Sequence, residues 1–221
     1  MRRPNYSYIF LLLLTKTAIG VIDEKIAEAN VYIDQLLENL RNDPIIATEV
    51  EPIHIPDVYE TTFEGRNIYV KGLSYLTRLG DSRISIDQDN IYISCLLGVD
   101  RIIFQMDYKA KGQVLGYPVW GGGTAEGKID HVIVDCVVVV SSLDVDGIGI
   151  LEKFKVLYFG GFVVTNVKGT TATLNWIMTY IANVMFNYSK KMVIEGIENG
   201  ISKLLQNKLS ETKIEPRILH H

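Results

Sequence analysis

Two cysteines and four histidines in 221 residues leave little material for the chemistry that most readily marks an enzyme. Two of the histidines are the terminal His220 and His221, so only His54 and His131 lie within the chain. Neither belongs to a His-Glu-x-x-His pair or has a second ligand at metal-binding spacing. No Gly-x-Ser-x-Gly elbow occurs, and neither cysteine has a histidine in a recognisable catalytic arrangement. The nearest approach to a phosphate loop is Gly122-Gly123-Thr124-Ala125-Glu126-Gly127-Lys128. Ile129 stands where a magnesium-binding Ser or Thr belongs, and a strand pattern follows where a helix N-terminus would be needed. The stretch is therefore read as a loop tip. The Asp87/Asp89 and Asp144/Asp146 pairs fall in turn-like segments, where Asp is favoured for backbone reasons. His131 is read as a solvent-facing strand residue. No catalytic residue, metal or cofactor is expected.

Long apolar runs are also missing. The one near the N-terminus, Tyr8 to Leu14, is too short to span a bilayer. Arg2 and Arg3 precede it, and Ala18 and Gly20 supply small residues before Val21, the pattern of a secretory signal. Residues 1–20 are read as that signal and 21–221 as one extracellular domain, with an uncleaved anchor as the alternative. Cleavage would remove Arg2, Arg3 and Lys16 and no acid, taking 22 bases to 19 against 26 acids, a charge of −7. That balance argues against a nucleic-acid partner, which needs clustered Lys and Arg.

What is present is a change of period. From Asn67 to about Val164 the chain alternates at every second residue, with Ile102, Phe104, Met106, Tyr108 and Ala110 on one face and Ile103, Gln105, Asp107, Lys109 and Lys111 on the other. Gly80-Asp81 and Asp87 to Asn90 read as turns. Before this region, residues 22–40 form an amphipathic helix through Ile22, Ile26, Ala29, Ile33, Leu36, Leu37 and Leu40, stopped by Asp43-Pro44. An extended connector with Pro52 and Pro56 follows.

From Thr171 to about Leu209 the pattern is helical. Leu174, Ile177, Met178, Ile181, Val184, Met185, Tyr188 and Met192 share a stripe. After Lys190-Lys191 the apolar residues Ile194, Ile197, Ile201, Leu204 and Leu205 move to the opposite side. Either the helix breaks near Gly196 or it is contacted from opposite sides along its length. The fold class expected is α+β: a curved antiparallel sheet wrapped around a long C-terminal helix, with an N-terminal amphipathic helix. Asn187-Tyr188-Ser189 is a glycosylation sequon on the flank of the stripe. Enclosure of the helix by sheet argues against its use.

Cys95 and Cys136 each sit on the apolar face of an expected strand. In an oxidising compartment such a pair is expected to form a disulfide, closing a loop worth on the order of 4 kcal/mol in the chain-entropy model. Two buried thiols are the alternative.

The block Arg66-Asn67-Ile68-Tyr69-Val70-Lys71-Gly72-Leu73, continuing to Arg78-Leu79-Gly80-Asp81, resembles the dust-mite group 7 allergen family, as does Ile55-Pro56-Asp57 upstream. That family belongs to the tubular lipid-binding superfamily, alongside bactericidal/permeability-increasing protein and insect juvenile-hormone-binding proteins. The resemblance implies a secreted, non-enzymatic arthropod protein with an apolar groove between curved sheet and long helix. The chain departs from the family in having only eight residues between Asp57 and Arg66, where a first strand usually lies. Loss of that strand would expose a sheet edge or widen the groove mouth. The cysteine pair is a second departure.

The expected function is binding or carriage of a hydrophobic ligand: a lipid, fatty acid or terpenoid. The candidate ligand-binding residues are Ile177, Met178, Ile181, Met185 and Tyr188 on the long helix. Facing them are Phe104, Met106, Val138 and Phe154 from the sheet, and Ile26, Ile33 and Leu37 from the first helix. For each, the competing reading is dry core. The rival function is a secreted protein-interaction or innate-immune recognition module with a closed core. A transient protein or membrane-surface partner is compatible with either.

Overall fold

A computed structural model describes residues 6–44, 51–100, 102–114, 117–141, 147–169 and 175–212. Side chains are described from Asp23 onward, except at 114, 117–119, 175–177 and 188. The chain opens with helix α1 (Tyr6–Arg41) and continues through ten strands. These are β1 (Ile53–Ile55), β2 (Val58–Glu60), β3 (Phe63–Lys71), β4 (Leu76–Asp87) and β5 (Asn90–Val99), then β6 (Ile103–Val114), β7 (Tyr117–Ile129), β8 (Val132–Ser141), β9 (Gly149–Phe159) and β10 (Phe162–Lys168). Helix α2 (Asn175–Glu195), a wide π-helical turn (Gly196–Ile201) and helix α3 (Ser202–Glu211) complete it.

The fold is α+β, with curved antiparallel strands packed on a long C-terminal helix and an amphipathic helix at the start, as the pattern implies. The strands divide into two sheets. The first runs β1-β3-β6-β7-β10, with β2 also paired to β3, and the second runs β4-β5-β8-β9. Every pairing is antiparallel. From β3 onward the chain passes repeatedly between sheets, and two of these passages lie side by side. Gly160 N–H donates to the His131 carbonyl at 2.8 Å and Asp130 N–H to the Gly161 carbonyl at 2.9 Å. Phe162 bridges the seam, its ring 5.4 Å from Phe104 in one sheet and 6.0 Å from Phe159 in the other.

Four local expectations change. Strands begin at Ile53 rather than near Asn67, because β1 and β2 both pair with β3 and occupy the edge the shortened connector was expected to leave open. Gly80-Asp81 is no chain reversal but a bulge inside β4, where pairing to β5 shifts between Leu79 and Arg83. His131 sits in the tight β7–β8 connection at φ 47°, exposed, rather than within a strand. The glycine run lies inside β7 and is not a loop tip. Its lack of side chains is what lets neighbours in: a Cβ on Gly127 would overlap the Phe104 ring, and one on Gly123 would overlap the Lys168 carbonyl. The Asp144/Asp146 pair lies outside the described residues.

Helix α1 buries Ala29, Ile33, Leu36, Leu37 and Leu40, the stripe expected for residues 22–40. It is continuous from Tyr6, so the signal-like segment forms the first half of the same helix. Among the described residues no helix is long and apolar enough to cross a membrane. At the other end, the π-turn accounts for the displaced apolar stripe from Ile197 onward, while Ile194 precedes it and is only half-buried. A wide turn holds an extra residue, rotating everything after it relative to α2 without breaking the helix. As a result α2 lies along β10, whereas α3 lies on β9 and α1.

Candidate functional site

The inner face of the first sheet is apolar strand by strand: Phe63, Ile68 and Val70 on β3, Phe104 and Met106 on β6, Ala125 and Ile129 on β7. Two glycines shape it. The Met106 methyl occupies the place a Cβ on Gly65 would take, 2.6 Å away, and the Phe104 ring lies over Gly127. Helix α2 presents buried Ile181, Val184 and Met185 to this layer. Its first turns are tied to the sheet edge by the Tyr180 ring on Phe63, 5.0 Å between centroids, and by the Tyr180 hydroxyl donating to Glu60. That bond raises the phenol pKa. The stripe Met178, Ile181, Met185 changes character along its length. Ile181 and Met185 are sealed at 0% and 1% exposure, whereas Met178 is 36% exposed.

The candidate ligand residues fall in two layers. Phe104, Met106, Ile181 and Met185 belong to the layer between the first sheet and α2, with Met178 at its rim. Ile33, Leu37 and Val138 belong to a second layer, where α1 and α3 cover the other sheet. Ile26 is half-buried on α1, and Phe154 half-buried on β9. The side chains of Ile177 and Tyr188 lie outside the described residues. Alternation and helical period show whether a residue points inward, but both sheets have an inside, so the partition was not readable in advance.

The second layer carries a polar group that sequence reasoning did not single out. Tyr32 is buried and its hydroxyl has no hydrogen-bond partner among the described residues. It occupies the space beside Gly149, together with Val138 and Leu209. Burial, then the proximity of Cys136, pushes the phenol pKa up, so it stays protonated.

Cys95 and Cys136 are direct partners in the β5–β8 ladder, and both are buried. They are free thiols in the structure, not the expected bridge. Strand pairing alone holds them side by side. A hydrogen bond with Cys95, followed by burial, raises the Cys136 thiol well above its ordinary range.

The blocks that resemble the mite family prove to be fastenings. Arg78 binds Asp34 of α1 through two nitrogens and also donates to the Gly80 carbonyl. Asn30 of α1 donates to Asp81 and accepts from the Ser82 N–H at 2.8 Å. Asp57 accepts from Asn67 N–H at 3.2 Å, at the bulge where Asn67 takes φ 50°. Beyond β3, the Glu51 carboxylate accepts from the Gly72 and Ser74 N–H groups. The exposed edge of β9 is similarly capped: Leu151 N–H donates to Gln206 and Val156 N–H to Glu198. Such side chains block pairing with a foreign strand. Asn187 is exposed on α2, so the steric objection to its glycosylation falls.

Cavities of about 460 and 330 Å³ lie on the outer faces of the second and first sheets, and one of about 350 Å³ lies between β9 and α3. Of the candidate residues, Phe154 lines the third. No cluster of three or more His, Cys, Asp or Glu suited to a metal occurs among the described residues.

Two open antiparallel sheets with apolar inner faces, each covered by helix, define an α+β protein built around an apolar interior. The chain belongs to the group 7 allergen family, whose family model matches residues 28–209. Two solved structures are also similar to it. Takeout 1 of Epiphyas postvittana is 20% identical over 84% of this chain and 92% of that one, with a TM-score of 0.43. A lipopolysaccharide binding protein is 10% identical over 82% of this chain and 37% of that one, with a TM-score of 0.40. No curated protein sequence matches the chain.

Proposed function

We propose that the protein is a secreted, non-enzymatic binder or carrier of a hydrophobic ligand, held between the first sheet and α2. The observation that carries this reading is the gradient along α2: the stripe facing the sheet is dry at Ile181 and Met185 and emerges into solvent at Met178. An aliphatic chain entering there would meet Met185, Met106 and Phe104, two of them flexible thioethers that repack around irregular ligands. Ten buried methylenes would contribute roughly 8 kcal/mol, at about 0.8 per CH₂, before ordering costs. Membership of the group 7 allergen family supports the same reading. Secretion would remove residues 1–20 and permit a Cys95–Cys136 bridge, which the cross-strand register favours sterically.

The test is native mass spectrometry of protein from a eukaryotic secretory host, followed by organic extraction. A stoichiometric lipid adduct, on a chain beginning at Val21, is the expected result. An apo mass that takes up no fatty acid, phospholipid or terpenoid probe refutes the carrier reading.

A further inference from the structure

The outer face of the first sheet carries a recess that has no part in the apolar layer behind it. Strand register sets Tyr59, Glu64, Lys109 and Gly122 side by side across β2, β3, β6 and β7. The neighbouring row holds Arg66, Asp107 and Thr124. Because Gly122 contributes no side chain to this face, the surface sinks there into a depression of about 330 Å³, walled by Glu64, Arg66, Asp107 and Lys109.

Its charges cancel locally. Glu64 receives Arg66 at 3.1 Å and Lys109 at 3.9 Å, and Asp107 accepts from Asn67 Nδ2 at 2.6 Å. Two cations and two carboxylates leave no net field to draw in an ion of either sign. They do place hydrogen-bond donors and acceptors at short intervals around an uncharged floor. Arg66 is held upright by the Tyr59 ring, 5.5 Å below its guanidinium carbon.

Beside the recess stands an indole in the open. Trp120 shares the outer face of β7 with Gly122, two residues or about 7 Å along the strand. It is 78% exposed. The neighbouring strand β10 ends at Lys168, opposite Thr124, so it does not reach Trp120. The indole thus presents a flat, apolar ring face with a polar N–H next to a recess whose floor is apolar and whose rim is charged.

We propose that this face binds a neutral saccharide. One sugar ring stacks its C–H face on Trp120. The hydroxyls of the next ring donate to Glu64 and Asp107 and accept from Arg66 and Lys109. Neutrality, abundant hydroxyls and an apolar ring face are what the recess and the indole together select. An anionic bilayer fits less well, since it is flat where the site is concave and would meet two carboxylates.

The experiment titrates the full chain with uncharged trisaccharides of glucose, mannose and N-acetylglucosamine, followed by calorimetry and by the Trp120 indole N–H resonance. Saturable binding of at least one is expected. Trp120→Ala should weaken it about tenfold or more, as loss of a central aromatic anchor does, and Trp120→Phe should restore part of it. Glu64→Gln and Asp107→Asn should each weaken it several-fold. Thermal melting of Trp120→Ala should match the parent, because the ring is mostly in solvent. The proposal is overturned by no saturable binding at millimolar sugar, or by binding that survives Trp120→Ala. It is also overturned if Trp120 is required only for association with phosphatidylcholine–phosphatidylserine vesicles. Because the site lies on the opposite face from the apolar layer, these results do not depend on whether a lipid is carried.

Discussion

Arg78 Nε and Nη2 donate to the two carboxylate oxygens of Asp34 at 3.1 and 2.8 Å, fastening α1 to the edge strand β4. This two-point geometry is one that lysine cannot copy. Arg78→Lys is therefore expected to lower stability by about 1 kcal/mol, a modest figure because the Asp34 side chain is half in solvent. Urea unfolding of Arg78→Lys, Asp34→Asn and the double variant would measure the coupling. A coupling of zero would show that this ion pair adds nothing to the apolar stripe and the Asn30 bonds that also hold α1. The bond to Asp34 raises the guanidinium pKa. Its contribution on that account is complete below the unfolded arginine range and is lost only as pH rises beyond it, so it is constant through neutral pH.

Gly160 and Gly161 are adjacent, yet they should respond oppositely to alanine. A Cβ on Gly160 would overlap the Asp130 carbonyl where the two inter-sheet passages touch, whereas one on Gly161 meets nothing within 4 Å. Gly160→Ala should cost about 2–3 kcal/mol through backbone displacement. Gly161→Ala should be neutral or stabilising by up to roughly 1 kcal/mol, through lost freedom in the unfolded chain. Thermal melts of the pair check both, and equal melting temperatures would contradict the packing described at the seam.

Met185 and Met178 lie on one stripe but should separate stability from uptake. Met185→Ala opens a hole in sealed core and should cost about 2–5 kcal/mol. Met178→Ala should cost well under 1 kcal/mol, as partly exposed positions do. Met178→Trp, placed at the rim, should slow uptake of a fluorescent fatty acid while leaving the melt unchanged. Unaltered uptake would move the entrance elsewhere.

The cysteine pair makes a prediction in each redox state. In reduced protein both cysteines are buried, and the raised Cys136 pKa keeps its own thiolate fraction small, so iodoacetamide at mildly alkaline pH should modify neither until urea is added. In protein secreted through an oxidising compartment, the intact mass should be lower by two hydrogens, with Cys95 and Cys136 in one linked peptide. Recovery of two free thiols from that source would exclude the bridge.

Much of the architecture is written at short range. The stripe Ala29, Ile33, Leu36, Leu37, Leu40 and the alternation through Ile91, Ile93, Cys95 and Leu97 identify a helix face and a strand face. Neither needs a partner to be recognised, because backbone period alone decides which side chains point the same way. The displacement of the apolar stripe after Lys191 is equally visible, though whether it meant a break or a rotation was not. The π-turn at Gly196 settles that. A Cβ there would overlap Ile53 Cδ1, so the glycine leaves room for the Ile53 side chain of β1 against the turn.

Long-range pairing decided the rest. The glycines of β7 read as a loop by composition, and become strand only because Phe104 and the Lys168–Gly169 backbone need the space they leave. Val138 and Phe104 share the same inward pattern but face different helices, since the chain crosses from the first sheet to the second at Asp130–His131, between β7 and β8. By itself the sequence determined the period, the inward residues and the family blocks, all properties of neighbours along the chain. Tertiary structure alone assigned those residues to two layers. It also made the family motifs into latches and set Trp120 beside the Gly122 recess, because residues far apart in sequence become neighbours only when strands pair.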